Sequence, residues 1–221
     1  MELLSEEEQW EQLKRWIREN GPSILVMVIL GLLAVAGWRW WQGRGEQSKI
    51  AAGVAYENVL KTFDAGKAEA ALAQIEQLRK DYPESGYVAS ADLAAARIFV
   101  ARNELDKAAE RLERVSTNAV DVQLRPIARL RLARVQAALG KHDLALTTLG
   151  ALSAADVGKY QAAYTETRGD ILLAKGDRAG ALHEYEAARK LQSSEPPGSS
   201  VGAVLDLKIN DLRPAAAPAK P

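Results

Sequence analysis

Hydrophobic residues form one long run near the start of the chain. From Asn20 to Trp38 no residue is charged, and residues 23–38 are almost wholly apolar. Extended to Trp41, residues 23–41 would make a helix of roughly 28 Å at about 1.5 Å per residue, close to the hydrocarbon thickness of a bilayer. The pattern predicts a single transmembrane helix over residues 23–41.

Aromatic and basic residues mark one end of this helix. Trp38, Trp40 and Trp41 carry amphipathic rings of the kind that collect at lipid headgroups, and Arg39 can extend its guanidinium group toward water. We therefore expect these four residues to lie at the membrane interface and to contact the lipid bilayer.

Two other interpretations of the apolar run are a buried helix of a soluble protein and a cleaved signal peptide. Ala34-Val35-Ala36 has the small-x-small pattern of a cleavage site. The segment before the run is net acidic, and the run continues past that site into Gly37, which favours an uncleaved anchor. Basic residues near the two ends are equal in number, so charge alone leaves the orientation open.

The rest of the chain contains an internal repeat between residues 48 and 191. Turn residues recur at intervals of 37, 37 and 36 positions, at Gly66, Asn103, Gly140 and Gly176. An alanine stands five positions after each turn: Ala71, Ala108, Ala145 and Ala181. A larger residue stands nine positions after each turn: Ile75, Leu112, Leu149 and Tyr185. Seven positions before each turn stand Val59, Ala96, Ala133 and Gly169.

Small residues on both sides of a tight turn allow two helices to cross closely, so this pattern predicts helical hairpins. Their approximate bounds are 48–80, 86–115, 124–152 and 157–191. The spacing resembles the tetratricopeptide repeat, although the period is longer than the usual 34 residues. A loop over residues 192–200 and an apolar-patterned segment over 201–212 follow, and the latter is able to cap the last hairpin.

The predicted fold is therefore all-α. A single N-terminal transmembrane helix precedes an α-solenoid of about four tetratricopeptide-like hairpins. The predicted domains are an acidic head (1–22), the transmembrane helix (23–41), the repeat domain (42–212) and a disordered tail rich in alanine and proline (213–221). The head has an apolar stripe that suits a membrane surface or a partner, or simply extends the anchor helix: Leu3, Trp10, Leu13 and Ile17.

Composition excludes several function classes. The chain has 29 basic and 29 acidic residues, whereas a general nucleic-acid binder needs a basic surface. It has no cysteine, so thiolate metal sites and thiol catalysis are excluded. His142 and His183 have no metal-ligand spacing, and we interpret both as exposed surface residues. No nucleotide-binding or hydrolase motif is present, so we expect no enzyme and no cofactor.

A protein-binding groove is the remaining prediction. In repeats of this type the first helices line a concave face, and the position six residues before each turn points toward it. These positions are Leu60, Arg97, Arg134 and Asp170, joined by Tyr56. An apolar patch with two guanidinium groups is able to hold backbone carbonyls or acidic side chains. The more conservative interpretation is that the two arginines are solvated or paired with acids such as Asp92 and Asp170.

Blocks of sequence that follow in order along nearly the whole chain carry a more specific resemblance. They include Asn20-Gly21, Gly37-Trp38-Arg39-Trp40-Trp41, Asn103-Glu104-Leu105-Asp106-Lys107-Ala108-Ala109, Leu130-Arg131-Leu132-Ala133-Arg134-Val135-Gln136 and Lys208-Ile209-Asn210-Asp211-Leu212. Together these blocks resemble the YfgM family, the ancillary subunits of the bacterial SecYEG translocon. The tail after Leu212 departs from the family pattern.

The resemblance implies a single-pass protein of the bacterial inner membrane, with a cytoplasmic N-terminus and periplasmic repeats. It implies three partners, namely the SecYEG translocon, a PpiD-like periplasmic chaperone, and translocating or unfolded polypeptides. The implied role is to help receive or hand over translocated proteins with that chaperone. Two other functions stay open: a scaffold for another envelope complex, and a regulator that binds a cytosolic factor through its acidic head.

Overall fold

The computed structural model describes residues 6–192 and 200–213, except for the side chains of residues 6–9, 12, 13, 24, 40–46, 200 and 201. Every regular element in these residues is a helix. The elements are α1 (Glu6–Asp64), α2 (Ala68–Asp81), α3 (Gly86–Ala101), α4 (Leu105–Asn118), α5 (Leu124–Ala138), α6 (His142–Gly150), α7 (Ala154–Val157), a 3-10 helix (Gly158–Tyr160), α8 (Gln161–Ala174), α9 (Arg178–Leu191) and α10 (Ser200–Leu212).

The chain divides into two compact units between Ala51 and Ala52, so α1 contributes its first part to one unit and its last part to the other. Parts of three predicted segments lie outside the described residues: positions 1–5 of the acidic head, 193–199 of the loop and 214–221 of the tail.

The N-terminal unit consists of the first part of α1. No single helix in the described residues is both long and apolar enough to cross a membrane. Two segments, Lys14–Ser23 and Leu25–Arg39, meet that requirement only together, and they are inclined by 43° at the break between them. Pro22 lies just before this break and removes a backbone donor from the helix. The predicted single transmembrane helix over 23–41 is therefore not confirmed.

The four predicted turns of the repeat are confirmed. Gly66, Asn103, Gly140 and Gly176 have positive φ angles of 73°, 57°, 75° and 87°. In each turn the next residue donates its N–H to the carbonyl five positions earlier, as Lys67 does to Thr62 at 3.1 Å. This Schellman arrangement needs a left-handed residue, which glycine and asparagine adopt at the least cost.

The small and large positions around these turns pack as the pattern predicts. All four alanines that follow the turns are fully buried, and the bulky residues that follow them are at most 1% exposed. The positions before the turns, from Val59 to Gly169, are buried as well. The last three hairpins therefore close around a small residue on each helix, and the first closes with Val59 against Ala71. In all four, the larger residue after the turn fills the space beside the crossing.

The third and fourth hairpins are joined by more structure than the sequence predicts. Helix α6 ends at Gly150, and the Oγ of Ser153 then accepts a hydrogen bond from the N–H of Asp156 to begin the short helix α7. Gly158 has a positive φ of 55° and leads into the 3-10 helix. Helix α8 consequently begins at Gln161, later than the predicted hairpin start at residue 157.

Ion pairs link consecutive hairpins near their turns. Glu69 in α2 contacts Arg102, Asp106 in α4 contacts Lys141 at 3.4 Å, and Asp143 in α6 contacts Lys175. Lys175 lowers the pKa of Asp143 through a hydrogen bond and its charge. The carboxylates are largely exposed, so these pairs add little stability and mainly fix the register between neighbours.

Helix α10 caps the last hairpin, as the apolar pattern over 201–212 predicts. Its residues Leu205, Ile209 and Leu212 are buried against Ala181, Ala188 and the ring of Tyr185. On the rim, Arg189 pairs with Asp206 at 2.8 Å, and Lys208 pairs with Glu166 at 2.8 Å. A solenoid needs such a cap because its terminal repeat otherwise leaves an apolar face in water.

Candidate functional site

Three of the five predicted groove residues line one cavity of about 330 Å³ between α1, α3 and α5. Tyr56 and Leu60 come from the last turns of α1, and Arg97 comes from α3. A second cavity of about 420 Å³ lies beside it, and its lining includes Arg97, Arg134, Val100 and Val135. Leu93, Arg97 and Arg131 line both cavities, so the two form one surface, which we call the arginine groove.

The first-hairpin end of the groove is aromatic. The rings of Tyr56 and Tyr87 lie 5.5 Å apart between centroids. Gly53 permits this approach, since a β-carbon there would lie 3.3 Å from the Tyr87 ring. Burial raises the pKa of Tyr56, and a hydrogen bond with Ser90 opposes that shift. Tyr56 is therefore neutral at physiological pH and presents a ring face and a hydroxyl to the groove.

Two of the groove arginines are held in place by neighbours that carry no charge. The guanidinium carbon of Arg97 lies 5.2 Å from the centroid of the Phe63 ring, a cation–π contact. The Nε of Arg134 donates a hydrogen bond of 3.1 Å to the Oγ1 of Thr167, which is buried. Both side chains are thus oriented by contacts that do not involve a carboxylate.

Arg131 is a third charged residue of the groove and was not among the residues predicted from the sequence. It is exposed on α5 and lines both cavities. It precedes Arg134 by three positions, and residues at that spacing share one face of a helix. The signal was therefore present in the block Leu130-Arg131-Leu132-Ala133-Arg134, once Arg134 had been assigned to the concave face.

Arg97 and Arg134 do not pair with the acids suggested for them, Asp92 and Asp170, but both are exposed, as the solvated form of the conservative interpretation has it. Asp92 is 2% exposed and pairs with Arg111 at 3.0 Å and with Arg114 at 3.7 Å, both from α4. Asp92 and Arg97 are five positions apart on α3, which separates them by about 140° around the helix. Asp92 therefore faces α4 while Arg97 faces the groove.

Asp170 lies outside the cavities that the other predicted residues line. Its Oδ1 accepts hydrogen bonds of 2.7 Å from the hydroxyl of Tyr185 and 2.7 Å from the Nζ of Lys208. Burial opposes the charge of Lys208, but Asp170 and Glu166 outweigh that effect and raise its pKa. Burial and the same two acids raise the pKa of Tyr185. The contacts of Asp170 hold α10 on α8 and α9.

The residues predicted for a membrane interface are only partly described. The side chains of Trp38 and Arg39 are exposed, and those of Trp40 and Trp41 lie outside the described residues. The prediction that both histidines are exposed is correct for His183 but wrong for His142. His142 begins α6 directly after the Gly140 turn, where it is half-buried and its Nδ1 has no hydrogen-bond partner among the described residues.

Comparison with known proteins gives one family match and several near full-length relatives. A sequence profile of the tetratricopeptide repeat-like domain matches residues 14–214. The chain is 36% identical over 208 residues to the ancillary SecYEG translocon subunit of Escherichia coli (strain K12), covering 94% of this chain and 97% of that protein. It is 32% identical over 187 residues to the protein of the same name from Haemophilus influenzae, covering 85% and 90%.

Solved structures share the fold at low sequence identity. Pseudomonas aeruginosa pilF matches with a TM-score of 0.57 and 18% identity, over 75% of this chain and 68% of that chain. MamA from Desulfovibrio magneticus RS-1 matches with a TM-score of 0.51 and 16% identity, over 73% and 86%. At these identities the likeness shows the fold alone, an all-helical solenoid of tetratricopeptide-like repeats.

Proposed function

The chain belongs to the family of ancillary SecYEG translocon subunits, and we propose that it serves as a non-enzymatic accessory subunit of a bacterial Sec translocon. The observation that carries this proposal is the match to the Escherichia coli relative over 94% of this chain, which includes both the apolar segment and the repeats. Tetratricopeptide-like solenoids present extended concave surfaces to other proteins, which fits an accessory role.

The apolar part of α1 is proposed to anchor the protein in the inner membrane. Large apolar side chains project from it without protein cover, including Met27 at 74% and Leu32 at 65% exposure. Exposure on this scale is costly in water and favourable in lipid. The bend after Pro22 fits a short helix before the span, with the span itself ending near Trp38 and Arg39.

We propose that the N-terminus is cytoplasmic and that the repeats lie in the periplasm, as the family resemblance implies. The repeats would then stand at the exit of the channel. A tether of this kind raises the local concentration of a binding surface, so weak contacts with an emerging polypeptide are sufficient. The arginine groove is the surface proposed to receive such segments before a PpiD-like chaperone takes them.

Co-purification from native membranes in mild detergent tests this function. The tagged full-length protein should recover SecY, SecE and SecG together with a membrane-anchored periplasmic chaperone, in amounts well above an untagged control. A variant lacking residues 2–19 should still recover them, because the anchor and the repeats remain. Recovery of a different envelope complex, with translocon subunits at the level of the control, would favour the scaffold alternative and overturn the proposed function.

A further inference from the structure

The arginine groove differs from the rest of the repeat domain in how its charges are balanced. Within the described residues, Arg97, Arg131 and Arg134 form no ion pair with any carboxylate. Arginines on other faces of the same hairpins do so, as Arg102 does with Glu69 and Arg111 with Asp92. Three positive charges therefore meet on one surface without an ion pair to any carboxylate of the described residues, and Asp64 is the acidic residue that shares this surface with them.

The floor of the groove between these arginines is apolar. Leu93, Val100 and Val135 line it, and Val100 is 45% exposed. An occupant that suits this surface needs apolar groups for the floor and negative groups for the guanidinium side chains, since arginine binds carboxylates through paired, charge-assisted hydrogen bonds. An extended polypeptide segment has both features when acidic residues and apolar residues follow one another along the same face of the segment.

The spacing of the arginines fits an extended segment. Arg131 and Arg134 lie one turn apart on α5, where such residues have β-carbons roughly 5–6 Å apart. In an extended chain, side chains two positions apart lie on the same side and are separated by about 6.6 Å. Two carboxylates at positions i and i+2 are therefore able to meet the two guanidinium groups, and the intervening side chain faces away from them.

One carboxylate gives the groove a direction. Asp64 is exposed and lines the first-hairpin cavity together with Tyr56 and Leu60. An acidic side chain placed there would be repelled, so the negative part of an occupant belongs at the α5 end. The neutral aromatic and apolar part belongs beside Tyr56 and Leu60.

From this arrangement we infer that the groove selects extended polypeptide segments carrying closely spaced carboxylates, and that Arg131 is a specificity-determining residue for them. This inference rests on the proposed function, because it names the chemical class of polypeptide that the accessory subunit would hold. Arg97 and Arg134 contribute to the same recognition, but each also has a contact within the protein.

The test is binding of a short fluorescein-labelled peptide to the full-length protein in detergent. The peptide carries aspartates at positions i and i+2 and leucines at positions i+4 and i+6, so that all four side chains lie on the same face of an extended chain. Fluorescence anisotropy should give saturable binding that weakens as salt is added. The peptide with asparagine in place of aspartate should bind about tenfold more weakly, since each guanidinium group then meets an uncharged amide instead of a carboxylate. Equal affinity for the two peptides would overturn the inference.

Variants assign the effect to the groove. Arg131→Gln should weaken the aspartate peptide about tenfold and leave the asparagine peptide nearly unchanged. The matched control is Lys80→Gln, which removes the same charge from an exposed side chain that has no partner in the described residues and lies on α2. An equal effect of the two variants would mean nonspecific charge attraction and would overturn the inference.

Charge reversal and co-purification complete the test. Arg131→Glu should shift the preference toward a lysine–leucine peptide, and an unchanged preference contradicts the assigned role of Arg131. Recovery of translocon subunits with the unaltered protein reports on the proposed function separately. If the unaltered protein recovers the translocon but binds the aspartate and asparagine peptides equally well, the groove chemistry alone is overturned. If it prefers the aspartate peptide but recovers no translocon subunits, the groove chemistry is supported and the proposed function is overturned.

Discussion

The ring of Tyr185 occupies the space that a side chain at Gly169 would need. A β-carbon built on Gly169 would lie 2.5 Å from the Cε1 of that ring and 3.3 Å from the carbonyl oxygen of Ala181. In the other three hairpins the position of Gly169 is taken by alanine or valine, and the position of Tyr185 by leucine or isoleucine. The second hairpin, for example, has Ala96 and Leu112 there. Of the four hairpins, the fourth therefore has the largest side chain after the turn, Tyr185, opposite the smallest residue before the turn, Gly169.

Gly169→Ala should destabilise the repeat domain because the aromatic ring has no room to move. Tyr185 is fully buried and its hydroxyl is held by Asp170 at 2.7 Å. Overpacking of this kind costs about 1–3 kcal/mol. Urea denaturation of the full-length protein in detergent, followed by circular dichroism, measures the change.

Gly150→Ala is the matched control for that substitution. A β-carbon at Gly150 would meet nothing within 4 Å, and the residue ends helix α6 without a positive φ. The same chemical change should therefore be neutral or stabilise by roughly 0.5–1 kcal/mol through the entropy of the unfolded chain. Equal losses at the two sites would show that the Tyr185 ring is not the cause.

Asn103 tests the requirement for a left-handed residue at the repeat turn. It has a φ of 57°, which glycine adopts freely, asparagine tolerates and alanine resists. We expect Asn103→Ala to lower the free energy of unfolding by about 1 kcal/mol and Asn103→Gly to leave it within about 0.5 kcal/mol. If both variants lost the same stability, the asparagine side chain would matter more than its backbone conformation.

Ala108→Leu tests the close helix crossing in the second hairpin. Ala108 is fully buried in a cluster to which α1 to α5 all contribute and which includes Ala96 and Leu112. The larger side chain should overfill the crossing and cost about 1–3 kcal/mol. Ala70→Leu places the same side chain at an exposed position of α2 and should change stability by less than about 0.5 kcal/mol. An unchanged melting temperature for Ala108→Leu would refute the crossing.

Two ion pairs with the same separation test how burial changes the contribution of an ion pair to the free energy of unfolding. Asp92 and Arg111 are 3.0 Å apart and nearly buried, whereas Glu57 and Lys61 are 3.0 Å apart and mostly exposed. Asp92→Ala should cost about 2 kcal/mol, since it removes a buried hydrogen-bonded partner of Arg111, while Arg111 keeps its contact with Glu76 and Arg114 keeps its contact with Glu110. Glu57→Ala should cost less than about 1 kcal/mol. Similar losses in denaturation experiments would contradict this difference.

The turns and crossings were predictable because local rules determine them. A left-handed residue is needed to close each hairpin, so Gly66, Asn103, Gly140 and Gly176 stand out in the sequence. Small residues at fixed distances from those turns then give the buried face of each helix. The same reasoning predicted that the segment over 201–212 caps the last hairpin, because its apolar residues are spaced as on one helix face.

The ionic partners were not predictable because they depend on how neighbouring helices rotate against one another. Lys208 lies 38 positions from Asp170 in the sequence, yet its Nζ donates a hydrogen bond to the Asp170 carboxylate. Asp92 likewise pairs across a hairpin with Arg111 rather than with an arginine on its own helix. Which arginines remain without a carboxylate, and therefore which residues make the groove, follows only from these long-range pairings.

Tyr164 makes the stability of the repeat domain depend on alkaline pH. Its side chain is 3% exposed, and its hydroxyl donates a hydrogen bond of 2.7 Å to the carbonyl oxygen of Pro126, which joins α8 to α5. Burial raises the pKa of Tyr164 to about 12, and the positive charge of Arg129 acts in the opposite direction. The folded protein therefore keeps a proton that the unfolded chain releases near pH 10.

Because the folded protein binds this proton more tightly than the unfolded chain does, the protein loses stability as the pH rises above about 10. A group with a raised folded-state pKa contributes its full stability below the unfolded pKa, and the contribution is lost as pH rises toward about 12. Each pKa unit corresponds to about 1.4 kcal/mol, so Tyr164 should account for a loss of roughly 2–3 kcal/mol across this interval. Tyr164→Phe should begin about 1 kcal/mol less stable at neutral pH through the lost hydrogen bond, but its stability should fall less steeply above pH 10. Urea denaturation at a series of alkaline pH values measures both slopes, and parallel curves for the two proteins would show that the Tyr164 proton is not linked to folding.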